Sequence, residues 1–219
     1  MKINSLVLQT KDIGAIAGFY KKILELPVLE AKDETTVVLD AGVIRFTKAD
    51  MHKDPFYHFA ITIPSNKIEE AKTWLEQRVK LVWMEDHQGV VANFVNWNAR
   101  SVYFYDAAGN IVELIARFDL HNNRNEAFSS RQFLSISEIG IVFREHDIET
   151  YTSALLQQHA LQFFNKQPPL RQFKAVGDDA GLLIIVSDQR KWYPTDKFCR
   201  AFPLQIGFEA NGKKFERKF

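Results

Sequence analysis

Along several short stretches of this chain, apolar and polar residues alternate with a period of two, and along three others with a period near 3.6. Positions 3–10 alternate as a strand, with Leu6 and Leu8 on one face and Ser5, Val7 and Gln9 on the other. Asp12 then offers an N-cap, and Ile16, Phe19, Tyr20 and Ile23 draw the apolar stripe of a helix that ends before Pro27. Segments 35–39 and 43–47 read as hairpin strands about Asp40, Ala41 and Gly42. The theme restarts with a strand over 56–63, a break at Pro64 and Ser65, and a helix traced by Ile68, Ala71, Leu75 and Val79. Strands follow near 82–85, 91–95, 101–105 and 111–116. After a polar stretch over 119–133 it starts a third time. A strand at 136–143 leads to a helix capped by Asp147 with Ile148, Tyr151 and Leu155 inward, and strands come near 172–176, 181–186 and 202–209.

A recurring unit changes the expected architecture. Aligning the opening strands sets Ser5, His58 and Glu138 in one register; aligning the closing strands sets Arg45, Glu113 and Gln205 in another. The expected fold is α+β, with βαβββ modules building a curved mixed sheet, a half-barrel cup, and helices on its outside. Residues 1–118 are expected to form a domain of two modules, about 1–50 and 55–118, followed by a linker at 119–133 and a degenerate third module at 134–219.

One residue breaks the pattern. Segment 101–117 holds two apolar strands joined by Asp106-Ala107-Ala108-Gly109-Asn110, where Gly109 and Asn110 are able to take positive φ. Glu113 stands in the middle of the second strand. An unpaired carboxylate is costly to bury, so Glu113 asks for a cation, a base's role or exposure.

Composition narrows the function classes. A net charge of +1 with no basic run points away from nucleic acid and from anionic membrane surfaces. No apolar run approaches the roughly 18–20 residues of a membrane span, and the first residues are too soon polar for a signal peptide. Cys199 is the only cysteine, which fits a reducing compartment, so a cytoplasmic protein is expected. It has no histidine beside it in sequence and reads as packing rather than as a nucleophile. Eighteen Phe suit a Phe-rich core or an aromatic-lined pocket.

The repeated βαβββ pattern, the closing strand YFYDAAGNIVELI and the opening LVLQTKDIGAIAGFYKKILELPV with its Phe19-Tyr20 pair resemble the vicinal oxygen chelate superfamily. That group contains glyoxalases, bleomycin- and fosfomycin-resistance proteins and extradiol dioxygenases. The resemblance implies a cup whose inner face holds a divalent metal (Fe, Mn, Zn or Ni) through histidines of opening strands and a glutamate of a closing strand. It implies a metal-dependent small-molecule enzyme, a lyase or a ring-cleaving dioxygenase. The alternative is a metal-free module that sequesters a small molecule.

Carried residue by residue, the resemblance makes His58 and Glu113 metal ligands, with Glu113 also catalytic. Ser5 and Arg45 depart from the pattern, since a serine hydroxyl is a poor ligand and a guanidinium cannot ligate. A third ligand is then sought from Gln9, His87, His121, another chain or the substrate. Arg45 is expected at the cup, on the substrate or paired with Glu113. Trp97 and Asn98 are expected to stack on and hydrogen-bond a planar or aromatic ligand beside Phe94, and Arg117 to meet an anionic group. Glu138 and Gln205 are not expected to make a metal site. The third module is expected to be structural, pairing with its copy in a homodimer or buttressing the first cup.

Overall fold

The thrice-repeated pattern folds as three similar units followed by a hairpin. The first unit is β1 (Lys2–Thr10), α1 (Ile13–Gly18), β2 (Val28–Glu30), β3 (Glu34–Leu39) and β4 (Gly42–Lys48). The second is β5 (His58–Ile63), α2 (Ile68–Glu76), β6 (Val91–Phe94), β7 (Ala99–Tyr105) and β8 (Ile111–Arg117). The third is β9 (Ser135–Phe143), α3 (Ile148–His159), β10 (Phe173–Asp178) and β11 (Gly181–Ser187), and the hairpin is β12 (Gln205–Ala210) and β13 (Lys213–Lys218). This is a computed structural model, which describes residues 1–50, 52 and 54–219. Its described strands form one mixed, open sheet with the helices packed on it, the expected α+β class.

In each unit the opening strand lies parallel to the strand that closes it, at one shared offset. Ser5 faces Val43, His58 faces Ile111 and Glu138 faces Leu182, so the residues two further on are Arg45, Glu113 and Ile184. The registers of Ser5, His58 and Glu138, and of Arg45 and Glu113, therefore stand as expected. Gln205 does not belong to that set. It lies on β12, antiparallel to β1, because the closing strand of the third unit is the apolar run of β11.

The edges of the units decide where a cup forms. β5 pairs antiparallel with β9, whereas β1 touches β9 only through Ile3 and Ile136 and otherwise takes β12. The second and third units are thus joined edge to edge, and the first unit is joined to the terminal hairpin. The opening strand of the third unit has its partners inside the chain.

Local chemistry explains the elements. Asp12 caps α1, its Oδ1 accepting from the Ala15 amide at 2.8 Å, and α1 runs into a π turn at Phe19–Ile23 that buries Tyr20. Ile68, Ala71 and Leu75 bury the inner stripe of α2. On α3 the inward set is Ile148, Thr152, Leu155 and His159. Tyr151 lies outside that set, half exposed and stacked on Phe143 at 4.5 Å. In β5, Tyr57, Phe59, Ile61 and Ile63 enter the main core, leaving His58, Ala60 and Thr62 for the opposite face. Segment 82–85 forms no strand; only isolated bridges at Leu81 and Met84 remain.

The turn at 106–110 uses positive φ only at Gly109, at 76°. Asn110 is buried with ordinary φ, and its amide is a strut: Nδ2 donates to Asp106 Oδ2 and Oδ1 accepts from the Tyr57 amide, each at 2.8 Å. Asp106 also accepts from the amides of Ala108 and Asn110 and from the Tyr20 hydroxyl. The turn before Glu113 is thereby fixed to both β5 and the helix of the first unit.

Candidate metal centre and ligand cup

Three side chains meet on the inner face of the joined second and third units. His58 of β5, Glu113 of β8 and Glu138 of β9 are all buried, and one ligand atom from each lies within 4.8 Å of the other two. Among the described residues no other group of three or more His, Cys, Asp or Glu side chains is placed to hold an ion. The group holds His58 and Glu113 together and adds Glu138, which the sequence alone does not place in a metal site. Glu138 completes it, while Gln9, His87 and His121 stand elsewhere.

Backbone pairing explains the convergence. Ala60 faces Glu113 on one side and Glu138 on the other, so the two carboxylates flank β5 on the face that His58 shares. Just beyond, the pairing slips, with Ser137 left as an extra residue opposite Ala60 and Ile61. Such a bulge re-aims its neighbours. Here it lets consecutive residues grip one guanidinium: Arg117 Nε donates to Ser137 Oγ at 3.1 Å and Nη2 forms a short ion pair with Glu138 Oε1.

The tautomer of the imidazole is set by the backbone. His58 Nδ1 lies 3.1 Å from the Ile111 carbonyl oxygen, which accepts only if Nδ1 carries the proton. Nε2 then presents its lone pair to Glu113 Oε2, 3.6 Å away. Burial lowers His58 to about 4, which keeps the ring neutral near pH 7. Glu113 goes the other way. Burial, then the neighbouring Glu138 charge, pushes it up to about 8, against the Ser101 hydroxyl donating at 2.5 Å and the more distant Arg117. Tyr103, directly across from Glu113, is held as a neutral phenol by burial and by both carboxylates.

Glu113 and Glu138 are both buried, with Arg117 beside them and paired to Glu138. Arg117 Nη1 also reaches Asp179 at 3.4 Å, which Lys166 neutralises at 2.7 Å. The charge closes while Glu113 keeps its proton; once that proton leaves, two carboxylates and a neutral imidazole nitrogen share one negative charge in excess, a donor set that fits a divalent cation.

Above this cluster lies a cavity of about 250 Å³ walled by aromatic rings. Phe94 and Trp97 come from the second unit, as expected, and Tyr103 adds a third ring. Phe173, Ile184 and Val186 come from the third unit. Gln167 also lines it and accepts from Trp97 Nε1 at 3.3 Å. A small hairpin over 190–199 packs at the cup, held by the Lys191–Phe198 bridge and by Trp192 N donating to the Lys197 carbonyl at 2.8 Å. It brings Arg190, Trp192 and Tyr193 to the cup. Trp192 packs 5.1 Å from the His58 ring and so closely on Gly140 that a Cβ there would lie 2.3 Å from Cη2.

Other expected site residues stand outside the cup. Arg45 is exposed, its Nε 4.0 Å from Glu34, because β4 belongs to the other sheet block; it makes no pair with Glu113. Asn98 is exposed and donates to Asp119 Oδ1 at 2.7 Å. Arg117 is fully buried, under the Trp97 ring at 5.3 Å, and engaged by Glu138. A larger cleft, about 420 Å³ near Met1, Leu161 and Asp178, has no histidine in its lining and meets Arg117 only through its partners Asp179 and Phe164.

No protein-family model matches the chain, and no curated protein matches it. Among solved structures, 99% of this chain matches 84% of a candidate dioxygenase from Bacillus subtilis at 14% identity, with a TM-score of 0.58. About half of the chain, 53%, matches 83% of a glyoxalase/bleomycin resistance protein/dioxygenase from Nocardioides at 20% identity, with a TM-score of 0.44. A lactoylglutathione lyase from Agrobacterium tumefaciens matches over 51% of this chain and 90% of its own at 19% identity, with a TM-score of 0.41. The unit topology and the whole-chain likeness define the class: this chain has the fold of the vicinal oxygen chelate superfamily.

Proposed function

We propose that this protein is a metal-dependent enzyme acting on a small molecule held in the aromatic cup, of the lyase or ring-cleaving dioxygenase type. The observation that carries this reading is the buried convergence of His58, Glu113 and Glu138 at the cup floor. His58 Nε2 and one oxygen from each glutamate would hold the ion. A divalent ion bound there supplies Lewis-acid stabilisation of an oxyanion on a substrate that chelates through neighbouring oxygens.

The protein's own residues divide the remaining work. The Ile111 carbonyl orients His58, Ser101 orients Glu113, and Arg117 with Ser137 orients Glu138, the outer supports that make such sites tight. The rings of Phe94, Trp97 and Tyr103 exclude water from the face of a planar ligand. Glu113 lines the same cavity, so its carboxylate would also be the group placed to take a proton from the bound molecule.

Titration of the metal-stripped protein with Mn(II), Fe(II), Zn(II) and Ni(II) tests the reading. One ion per chain is expected for the wild type, with binding lost in His58→Ala and Glu113→Gln. Unchanged affinity in Glu113→Gln would overturn the ligand assignment.

A second reading, a metal-free sequestering module, is supported by the Arg117–Glu138 ion pair, which satisfies one carboxylate without any ion. It predicts that the cup binds its ligand equally well in EDTA and that no activity appears on catechols or hemithioacetals.

A further inference from the structure

The lining of the cup carries, besides the carboxyl groups of Glu113 and Glu138, the guanidinium of Arg190, close enough to bear on His58. Arg190 is half-buried, and its Cζ lies 4.9 Å over the Phe173 ring. Its one side-chain hydrogen bond among the described residues runs from Nε to the Lys191 carbonyl at 3.3 Å, and no carboxylate lies within 4.0 Å of it. A guanidinium partly removed from water without a counterion is costly, and proteins normally pair it. Here the backbone is tied down instead: the Arg190 amide donates to the Ser187 carbonyl and its carbonyl accepts from the Cys199 amide at 2.9 Å. The side chain is therefore presented to the cavity from a fixed base.

We infer that Arg190 is the specificity residue of the cup and that the ligand is a single-ring aromatic molecule bearing a carboxylate that pairs with the Arg190 guanidinium. The inference rests on the cup being a ligand site. Its walls are ring faces, which favour a planar aromatic body. Its volume, about 250 Å³, falls below the roughly 300–1,000 Å³ of drug-sized sites and suits one ring with short substituents. The guanidinium fork matches a carboxylate in a planar, bidentate way. Glu138 is paired with Arg117 and Glu113 holds its proton, so within the lining Arg190 is the charge that an anionic group would seek.

Benzoate and benzamide have nearly the same shape and differ in charge. Both are titrated into the protein in EDTA, with Trp97 and Trp192 fluorescence as the readout, so that no metal can attract the carboxylate. The wild type is expected to bind benzoate at least tenfold more tightly than benzamide. Arg190→Gln should bring the two within twofold, and Arg190→Lys, which keeps a charge but loses the fork, should retain part of the preference. Equal affinities in the wild type, a preference that survives in Arg190→Gln, or no binding of either compound would overturn the assignment. Mn(II) titration of the wild type decides the metal reading separately. A failed metal site with an intact benzoate preference leaves Arg190 in its role, and a filled metal site with no preference removes it.

Discussion

His58 Nε2 faces Glu113 Oε2 across 3.6 Å, from strands whose backbones pair two residues out of step with the side chains. The lone pair of a neutral imidazole and the oxygen of a carboxylate do not attract each other. A cation between them, or a proton on Glu113, resolves the contact. Glu138 arrives from a different unit at the same spot, so the pair is one wall of a three-sided site.

Glu138 is also the partner of Arg117, and the two roles are separable by mutation. Glu138→Gln should abolish tight divalent-ion binding and, by leaving Arg117 buried without its carboxylate, cost about 3–5 kcal/mol of stability. Replacing both, Arg117→Met with Glu138→Leu, should recover most of that stability while ion binding stays lost. Urea denaturation and Mn(II) titration of the single and double variants check this. Ion binding retained in the double variant would remove Glu138 from the ligand set.

The fold was legible because period-two and period-3.6 patterns recur in the same order three times, and registers follow from alternation once the strands are known. Ser5, His58 and Glu138 could be aligned for that reason. What alternation does not encode is which strand edges meet. The β5–β9 joint is made by backbone hydrogen bonds, and nothing in the side chains of Phe59 or Ile139 announces it. Alternation alone therefore gives no reason to count Glu138, aligned with Ser5 and His58, into a metal site. The aligned register already carried its signal, a carboxylate at the position of His58 in an otherwise apolar strand. Arg45, placed correctly in register, lies outside the cup because its unit joins the terminal hairpin instead. Arg190, Trp192 and Tyr193 come from a loop, whose position depends on tertiary packing rather than on any period.

Gly140 makes room for Trp192, and that space is a stability determinant. A Cβ on residue 140 would lie 2.3 Å from Cη2 and 2.8 Å from Cζ2 of Trp192, with the His58 carbonyl 3.2 Å away on the backbone side. Gly140→Ala should destabilise the protein by about 1–3 kcal/mol through overpacking. Adding Trp192→Phe should give back part of that loss, a non-additive result that thermal denaturation of the four proteins in the cycle detects. Simple additivity would mean that the indole is not what limits position 140.

Cys199 should behave as an inert thiol. It is 1% exposed, and burial pushes it up to about 12 although Arg190 favours the thiolate. A thiol-labelling reagent at pH 8 should modify it only after unfolding, and Cys199→Ser should leave ion binding unchanged. Stoichiometric labelling of the native protein within minutes would show that the hairpin over 190–199 opens readily.

The pH dependence of the metal-free protein follows from two opposed shifts. Glu113, pushed up to about 8 chiefly by burial and then by Glu138, takes up a proton on folding. Its contribution to stability is complete below the unfolded carboxyl value of about 4.3 and is lost as pH rises through about 8. His58, lowered to about 4 by burial, releases a proton on folding. Its contribution is complete above about 6.5 and is lost as pH falls through about 4. As pH rises from 6.5 to 8 the imidazole's opposing slope fades, and the difference between the wild type and Glu113→Gln isolates Glu113. In EDTA the wild type should therefore lose stability over that interval, by at most about 1.4 kcal/mol per pH unit, while Glu113→Gln stays comparatively flat. Saturating Mn(II) should abolish the difference in slope, because the ion displaces the Glu113 proton and its own binding tightens as pH rises. Urea denaturation at pH 6.5, 7.2 and 8.0, with and without the ion, measures both effects. Parallel slopes for the wild type and Glu113→Gln in EDTA would mean that the carboxylate is already ionised in the fold, with Arg117 sufficient as its counter-charge.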